Sequence, residues 1–214
     1  FNMIKIKKFV FVFSLLTVMT ISTGCVSVKN DKKDTSAYDG GVFMSIDKGT
    51  SWKQKVLIPN ISGKPQNFAG VNIVSLTMDP SDNKTLYFGS IGSGLLHSYD
   101  AASTWTRTPA FKGNTIRAVA VDPNSKCVIY VSVANKVFKS NDCSRTWNQI
   151  YFDNDLAAAV EAIAIDHDNS SNVYLAISRG DILKSTNGGE GWQTVNRVNN
   201  RVKKILIDPN DANR

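Results

Sequence analysis

Three short stretches of this chain alternate large apolar residues with small ones. Val74, Leu76 and Met78 alternate with Ser75 and Thr77; Val119 and Val121 alternate with Ala118 and Ala120; Ile163 and Ile165 alternate with Ala162 and Ala164. A period of two is that of a β-strand with one large and one small face. The stretches end at Asp79-Pro80, Asp122-Pro123 and Asp166-His167, and proline stops a strand because it has no N–H for the ladder. Each is followed by a second apolar run: Thr85 to Gly89, Cys127 to Val133, and Asn172 to Ile177. A fourth copy, Lys203 to Pro209, lies just before the chain ends at Arg214.

A second pattern interleaves with the first. Ser45 to Trp52, Ser98 to Trp105, Ser140 to Trp147 and Ser185 to Trp192 match position by position, with the four Trp residues of the chain at the eighth place. The Trp spacings are 53, 42 and 45 residues, and the strand-ending Asp spacings are 43, 44 and 42. Two motifs sharing one period describe one supersecondary unit repeated in space. A unit of this length with four short strands is a β-propeller blade.

The predicted fold is therefore all-β, a propeller of four-stranded antiparallel blades. Strand A is expected near 73–78, 116–121 and 161–165, strand B near 85–89, 127–133 and 172–177, and strand C near 94–98, 136–140 and 181–185. Strand D begins at each Trp. Gly41 to Leu57 contributes a C–D hairpin alone, and Val202 to Ile207 an A strand alone. That makes three whole blades and two part-blades over 40–214. Too few blades for a closed ring of this type, they point to a reading frame truncated at its C-terminal end.

Ser-x-Asp-x-Gly-x-Thr-Trp resembles the Asp-box, or bacterial neuraminidase repeat, and the resemblance covers about Gly40 to the end. The second copy has Ala102 in place of Gly, and the fourth has Asn187 for Asp and Gly191 for Thr. Together with the Asp-Pro strands, the boxes look most like sortilin-type propellers and the photosystem II assembly and stability factor group, which are non-enzymatic. The resemblance implies a structural role for Asp47, Trp52, Asp100, Trp105, Asp142, Trp147, Asn187 and Trp192. The carboxylates accept backbone N–H groups of the C–D turn, Gly49 and Gly189 supply a positive φ, and each Trp packs under its hairpin.

The start of the chain has a different character. Lys5, Lys7 and Lys8 precede an apolar run from Phe9 to Ile21, 13 residues long, too short for the roughly 20 residues that span a bilayer. It reads as a secretory signal peptide over 1–24. Ser22-Thr23-Gly24-Cys25 resembles a lipobox, which implies acylation of Cys25 and an exported, membrane-anchored lipoprotein. Ser22 stands where such boxes usually have Leu, and ordinary secretion after Gly24 is the rival reading. Residues 25–39 are polar and read as a flexible tether. Past the leader, the net charge falls from +7 to +4 with no basic block, which argues against nucleic acid as a partner.

Candidate chemistry is sparse. Sialidases share the Asp-box, but their Arg-Ile-Pro motif is absent, and no pair of carboxylates suited to glycoside hydrolysis stands out. His97 and His167 have no ligand partner at metal-site spacing, so neither a metal nor a cofactor is expected. Propellers bind on the face that carries the D–A and B–C loops. Arg117, Arg179, Arg197, Arg201 and Lys203 gather there with Glu161 and Asp181, as a candidate cationic rim for an acidic protein loop or an anionic glycan, or as plain solvated charge. Cys127 and Cys143 leave two readings open. They form a disulfide within one blade, or they are one buried and one exposed thiol, since residue 127 pairs across from 142 rather than 143. The predicted function is a non-catalytic binding or assembly module for a protein or glycan partner. The alternative is a carbohydrate-active enzyme of the sialidase or xyloglucanase type.

Overall fold

The computed structural model describes residues 40–61, 63–208 and 210–211. The leader expected over 1–24, Cys25 and the tether over 25–39 lie outside these residues. A hairpin of β1 (Phe43–Met44) and β2 (Lys53–Gln54) comes first, then a short pair, β3 (Leu57–Ile58) and β4 (Gln66–Asn67). Three four-stranded antiparallel sheets follow among the described residues. The first holds β5 (Ile73–Asp79), β6 (Asp82–Ser90), β7 (Leu95–Ser98) and β8 (Thr106–Arg107); the second β9 (Ile116–Asp122), β10 (Ser125–Val133), β11 (Lys136–Ser140) and β12 (Asn148–Phe152). The third holds β13 (Val160–Ile165), β14 (Val173–Ile177), β15 (Asp181–Ser185) and β16 (Gln193–Arg197). Each sheet runs in simple order from A to D, and the A strands β5, β9 and β13 touch in succession. These are propeller blades.

Two expectations are corrected. The pair β3–β4 was not foreseen, because Leu57-Ile58 and Gln66-Asn67 are too short to show a period. Residues 202–207, expected as an A strand, are irregular. A strand is defined by ladder hydrogen bonds, and none of the described strands pairs with this segment.

The alternation along the A strands decides how the blades stack. Ile163, Val173, Leu175 and Ile177 of the third blade share a core cluster with Ala118, Ala120 and Tyr130 of the second. Val119, Val121 and Ile129 of the second join Tyr87 and Leu95 of the first. The large face of each A strand thus meets the small face of the blade before it, a complementarity that fills space without voids. At Gly89 the blades come so close that an added Cβ would sit 2.6 Å from the Ile116 carbonyl oxygen. The large face of β5 has no A strand before it among the described residues, so Val74, Leu76 and Met78 are about half exposed.

The boxes close each C–D turn in one pattern. The fourth and fifth positions both have positive φ: Lys48 and Gly49 (57° and 92°), Ala101 and Ala102 (55° and 62°), Cys143 and Ser144 (57° and 69°), Gly188 and Gly189 (67° and 101°). Ser45, Ser98, Ser140 and Ser185 each accept the fifth-position amide at 2.7–2.9 Å and donate to the third-position side chain at 2.8 Å. Asp47, Asp100 and Asp142 accept the seventh-position amide with Oδ1 at 2.8 Å and its hydroxyl with Oδ2 at 2.6 Å. In the fourth box Gly191 offers an amide but no hydroxyl, and Asn187 accepts that amide at 2.9 Å. The two departures from the repeat therefore belong together, since without a hydroxyl donor the second carboxylate oxygen has no task.

The tryptophans do more than pack under their own hairpins. The Trp105 indole N–H donates to the Lys55 carbonyl at 3.0 Å, and the Trp192 N–H to the Ile150 carbonyl at 3.2 Å. Each acceptor belongs to the preceding unit. The carbonyls of Cys143 and Gly188, fourth in their boxes, accept Tyr99 and Tyr130 hydroxyls of the preceding blade at 3.1 and 3.0 Å. The box is thus a clasp between successive blades. Trp52, expected to pack like the rest, is 58% exposed, and its indole N–H donates to the Gly49 carbonyl of its own turn.

Candidate functional site

The A strands line a cleft of about 400 Å³ with 203–205 along one side. Its lining mixes Ser75, Thr77, Ala118 and Ala162 with Val74, Leu76, Val119 and Ile163 of the same three strands, and the Thr77 hydroxyl donates to the Val119 carbonyl at 2.9 Å across one seam. Glu161, second in β13, has its side chain 8% exposed; Arg201 Nη2 lies 2.5 Å and Arg117 Nε 3.6 Å from its Oε1. The contact with Glu161 raises the Arg201 pKa above its ordinary value. Lys203 and Lys204 complete the basic side of the cleft. Glu161 is the only carboxylate among its described lining residues. Glycoside hydrolysis by the usual route needs two, about 5 to 9.5 Å apart.

The basic residues of the candidate rim have carboxylate neighbours. Arg179 and Arg197 both bind Asp181, which is 1% exposed, and Arg179 Nη2 also reaches Asp153, 6% exposed, at 2.8 Å. The Arg197 bond, followed by that of Arg179, holds the Asp181 carboxyl below its ordinary pKa. Burial pushes Asp153 up, but Arg179, the Asp155 amide and the Tyr151 hydroxyl outweigh it and the net shift is downward. Four of the five basic residues are thus engaged by carboxylates, Arg117 and Arg201 by Glu161 and Arg179 and Arg197 by Asp181. The rim splits into a compact ion-pair network at the third blade and the Glu161 group in the cleft. Asp153 was not singled out from the sequence. It stands in a D–A loop with no periodic signal, and only the folded loops bring it beside Arg179.

Cys127 and Cys143 are joined in a disulfide. Ile129 pairs with Ser140, so Cys127 indeed falls opposite 142. The left-handed φ of 57° at Cys143 takes the chain out of the flat ladder and cancels the one-residue offset. His97 bonds the Thr108 hydroxyl at 3.3 Å. His167 has carboxylate neighbours that spacing alone did not suggest: ligand atoms of Asp166, His167 and Asp168 lie within 4.8 Å of one another. Both ring nitrogens of His167 are already engaged, by Asp168 Oδ1 and the Asp208 carbonyl, each at 2.8 Å.

No protein-family profile matches the chain. Among curated proteins it is 27% identical over 168 residues to a xyloglucanase of Paenibacillus sp, across 75% of this chain and 14% of that protein. It is 32% identical over 123 residues to a xyloglucanase of Hypocrea jecorina, across 55% of this chain and 15% of the relative. The chain thus spans about one seventh of the length of these relatives. Among solved structures, the xyloglucanase of Xanthomonas campestris superposes with a TM-score of 0.62 at 18% identity, over 82% of this chain and 32% of that one. The extracellular domain of a hybrid two-component system from B. thetaiotaomicron gives 0.58 at 12% identity, over 80% and 23%. These likenesses place the fold among β-propellers.

Proposed function

We propose that this chain is an exported β-propeller binding module, held at a bacterial membrane through an acylated Cys25, that engages a glycan without cleaving it. The observation that carries the reading is the A-strand cleft. It offers one carboxylate, Glu161, pinned by Arg117 and Arg201, beside Lys203 and Lys204, a set of donors and acceptors suited to hydroxyl recognition but lacking a second carboxylate for acid–base work. The curated relatives favour a glycan over an acidic protein loop as the occupant. The box residues serve the clasp between blades. The Asp-box and sortilin-type likeness supports the same non-catalytic reading.

The test is binding and turnover measured side by side. Xyloglucan oligosaccharides are titrated calorimetrically into the protein, and the mixture is assayed for reducing ends. Binding without turnover, weakened at least tenfold in Arg117→Ala, is the expected result; capture of proteins but not of glycans from membranes rejects the glycan. A second reading, a carbohydrate-active enzyme, draws on the relatives' being xyloglucanases. Turnover abolished by Glu161→Gln would establish it. Lipidation is tested by feeding labelled palmitate, with label lost in Cys25→Ser.

A further inference from the structure

The seam between successive blades on the box side is stitched shut in one place and open in another. Between the second and third blades, Ser170 Oγ donates to Asp122 Oδ1 at 2.5 Å, and Asn124 Nδ2 donates to Ser170 Oγ and the His167 carbonyl at 2.9 and 3.0 Å. Between the first and second blades the residue at the place of Ser170 is Lys126, 44 positions earlier, the same offset that separates Asp122 from Asp166. No side chain there closes on the first blade's Asp79, and a pocket of about 270 Å³ remains.

Asp79 is 1% exposed and lines that pocket. Its Oδ1 accepts the Ser81 amide and hydroxyl, both at 2.8 Å, while its buried Oδ2 has no hydrogen-bond partner. A buried carboxylate oxygen without a donor is costly, and the pocket is where a donor would enter. Opposite charges balance around it, Asp79 and Asp82 against Lys126 and Arg145, so the lining favours a neutral ligand over an ion. Tyr99, 48% exposed, forms an aromatic wall with its hydroxyl tied to the Cys143 carbonyl at 3.1 Å. Donors, acceptors and one aromatic face around a volume near the roughly 300 Å³ where small-ligand sites begin suit a single sugar ring.

We infer that the first-to-second blade seam is a carbohydrate subsite, in which Asp79 Oδ2 accepts a sugar hydroxyl, Arg145 and Lys126 donate to others, and Tyr99 stacks on the ring. It shares its ligand class with the cleft reading but not its residues, so the two stand or fall separately. Free glucose, xylose and galactose, and oligosaccharides ending in each, are screened against the protein by saturation-transfer NMR. Affinity is expected to fall at least tenfold in Tyr99→Ala and in Arg145→Ala, neither of which lines the cleft. Because Tyr99→Ala also removes a bond between blades, Arg145→Ala, an exposed position, is the variant whose melting is expected to match the parent. A free sugar binding as tightly as the oligosaccharides marks a monosaccharide site, and tighter oligosaccharides mark a glycan end; either outcome supports the subsite. No saturation transfer from any of these sugars, or transfer that survives both variants, overturns it.

Discussion

Trp192 of the third blade hands its indole N–H to the carbonyl of Ile150 in the second, three residues past Trp147. Trp105 does the same with Lys55, three residues past Trp52. The rule breaks at Trp147, whose buried N–H has no partner. Its acceptor by this rule is the Thr108 carbonyl, and that oxygen is taken by the Phe111 amide at 3.2 Å in the 3₁₀ turn Pro109–Phe111. The Phe111 ring packs against Trp147 instead, 4.8 Å between centroids.

Replacing each of these tryptophans by phenylalanine therefore has unequal cost. Trp105→Phe and Trp192→Phe lose a hydrogen bond and leave a carbonyl without that donor, a loss of about 1–3 kcal/mol. Trp147→Phe removes an N–H that was never paired, so its cost is expected to be smaller by about 1 kcal/mol or more. Urea unfolding of the three variants checks the order, and equal losses would refute the clasp rule.

The coupled departures of the fourth box make a double-mutant cycle informative. Asn187→Asp alone gives the turn a carboxylate oxygen with no hydroxyl to accept. Gly191→Thr alone gives it a hydroxyl facing an amide. The pair together is expected to be more stable than the sum of the two by about 0.5–1.5 kcal/mol. Additive effects would mean that the Asp–Thr bond of the other boxes contributes nothing.

Hydrogen bonds hold two box carboxylates well below their ordinary range. Asp47 lies at about 2, from the Ser51 hydroxyl, then its amide, then Ser45. Asp142 lies at about 2, from the Thr146 hydroxyl and then its amide. Because the folded pKa is the lower one, the stabilisation is complete above the unfolded value of 3.8 and is lost as pH falls from there through about 2. Amide shifts of Ser51 and Thr146 are expected to titrate with midpoints near 2, while that of Gly191, bonded to the uncharged Asn187, stays flat. Movement of Gly191 in the same range would refute the assignment.

Charge reversal separates the two halves of the candidate rim. Arg179→Glu strips Asp153 and Asp181 of a partner. Both carboxylates are buried, but Arg179 itself is 39% exposed, so solvent screening brings the cost below that of a fully buried pair, to about 1–3 kcal/mol. Arg117→Glu, whose partner Glu161 keeps Arg201, is expected to cost under about 1 kcal/mol. Thermal unfolding decides, and the reverse order would contradict the ion-pair assignment.

The disulfide closes a loop of 16 residues within the second blade. Reduction, or the Cys127→Ala and Cys143→Ala pair, is expected to lower stability by about 3 kcal/mol. Intact mass before and after reductant checks that the bond is present, and free thiols in the folded protein would remove the basis for the prediction.

Much of the fold was legible in the chain. Alternation of Val119 and Val121 with Ala118 and Ala120 marks a strand, says that its faces differ and, with the repeat of the box, sets the period of the blades. The short pair Leu57–Ile58 and Gln66–Asn67 was not legible, since two residues carry no period. The candidate site was less readable. Arg179 and Asp181 are two apart, but Asp153 reaches them only because a D–A loop and a B–C loop meet on one face, and Lys126 leaves a pocket only because the residue facing it across the seam is Asp79.

What the sequence determined by itself is the local, repeating part: strand periods, turn chemistry and the order of strands within a blade, all set by neighbours a few residues apart. What the tertiary structure alone decided is everything that passes between blades, namely which carbonyl takes each indole, which arginine is neutralised and which seam stays open. Those outcomes depend on distances across some forty residues of chain, about one blade repeat, where no short-range pattern constrains them.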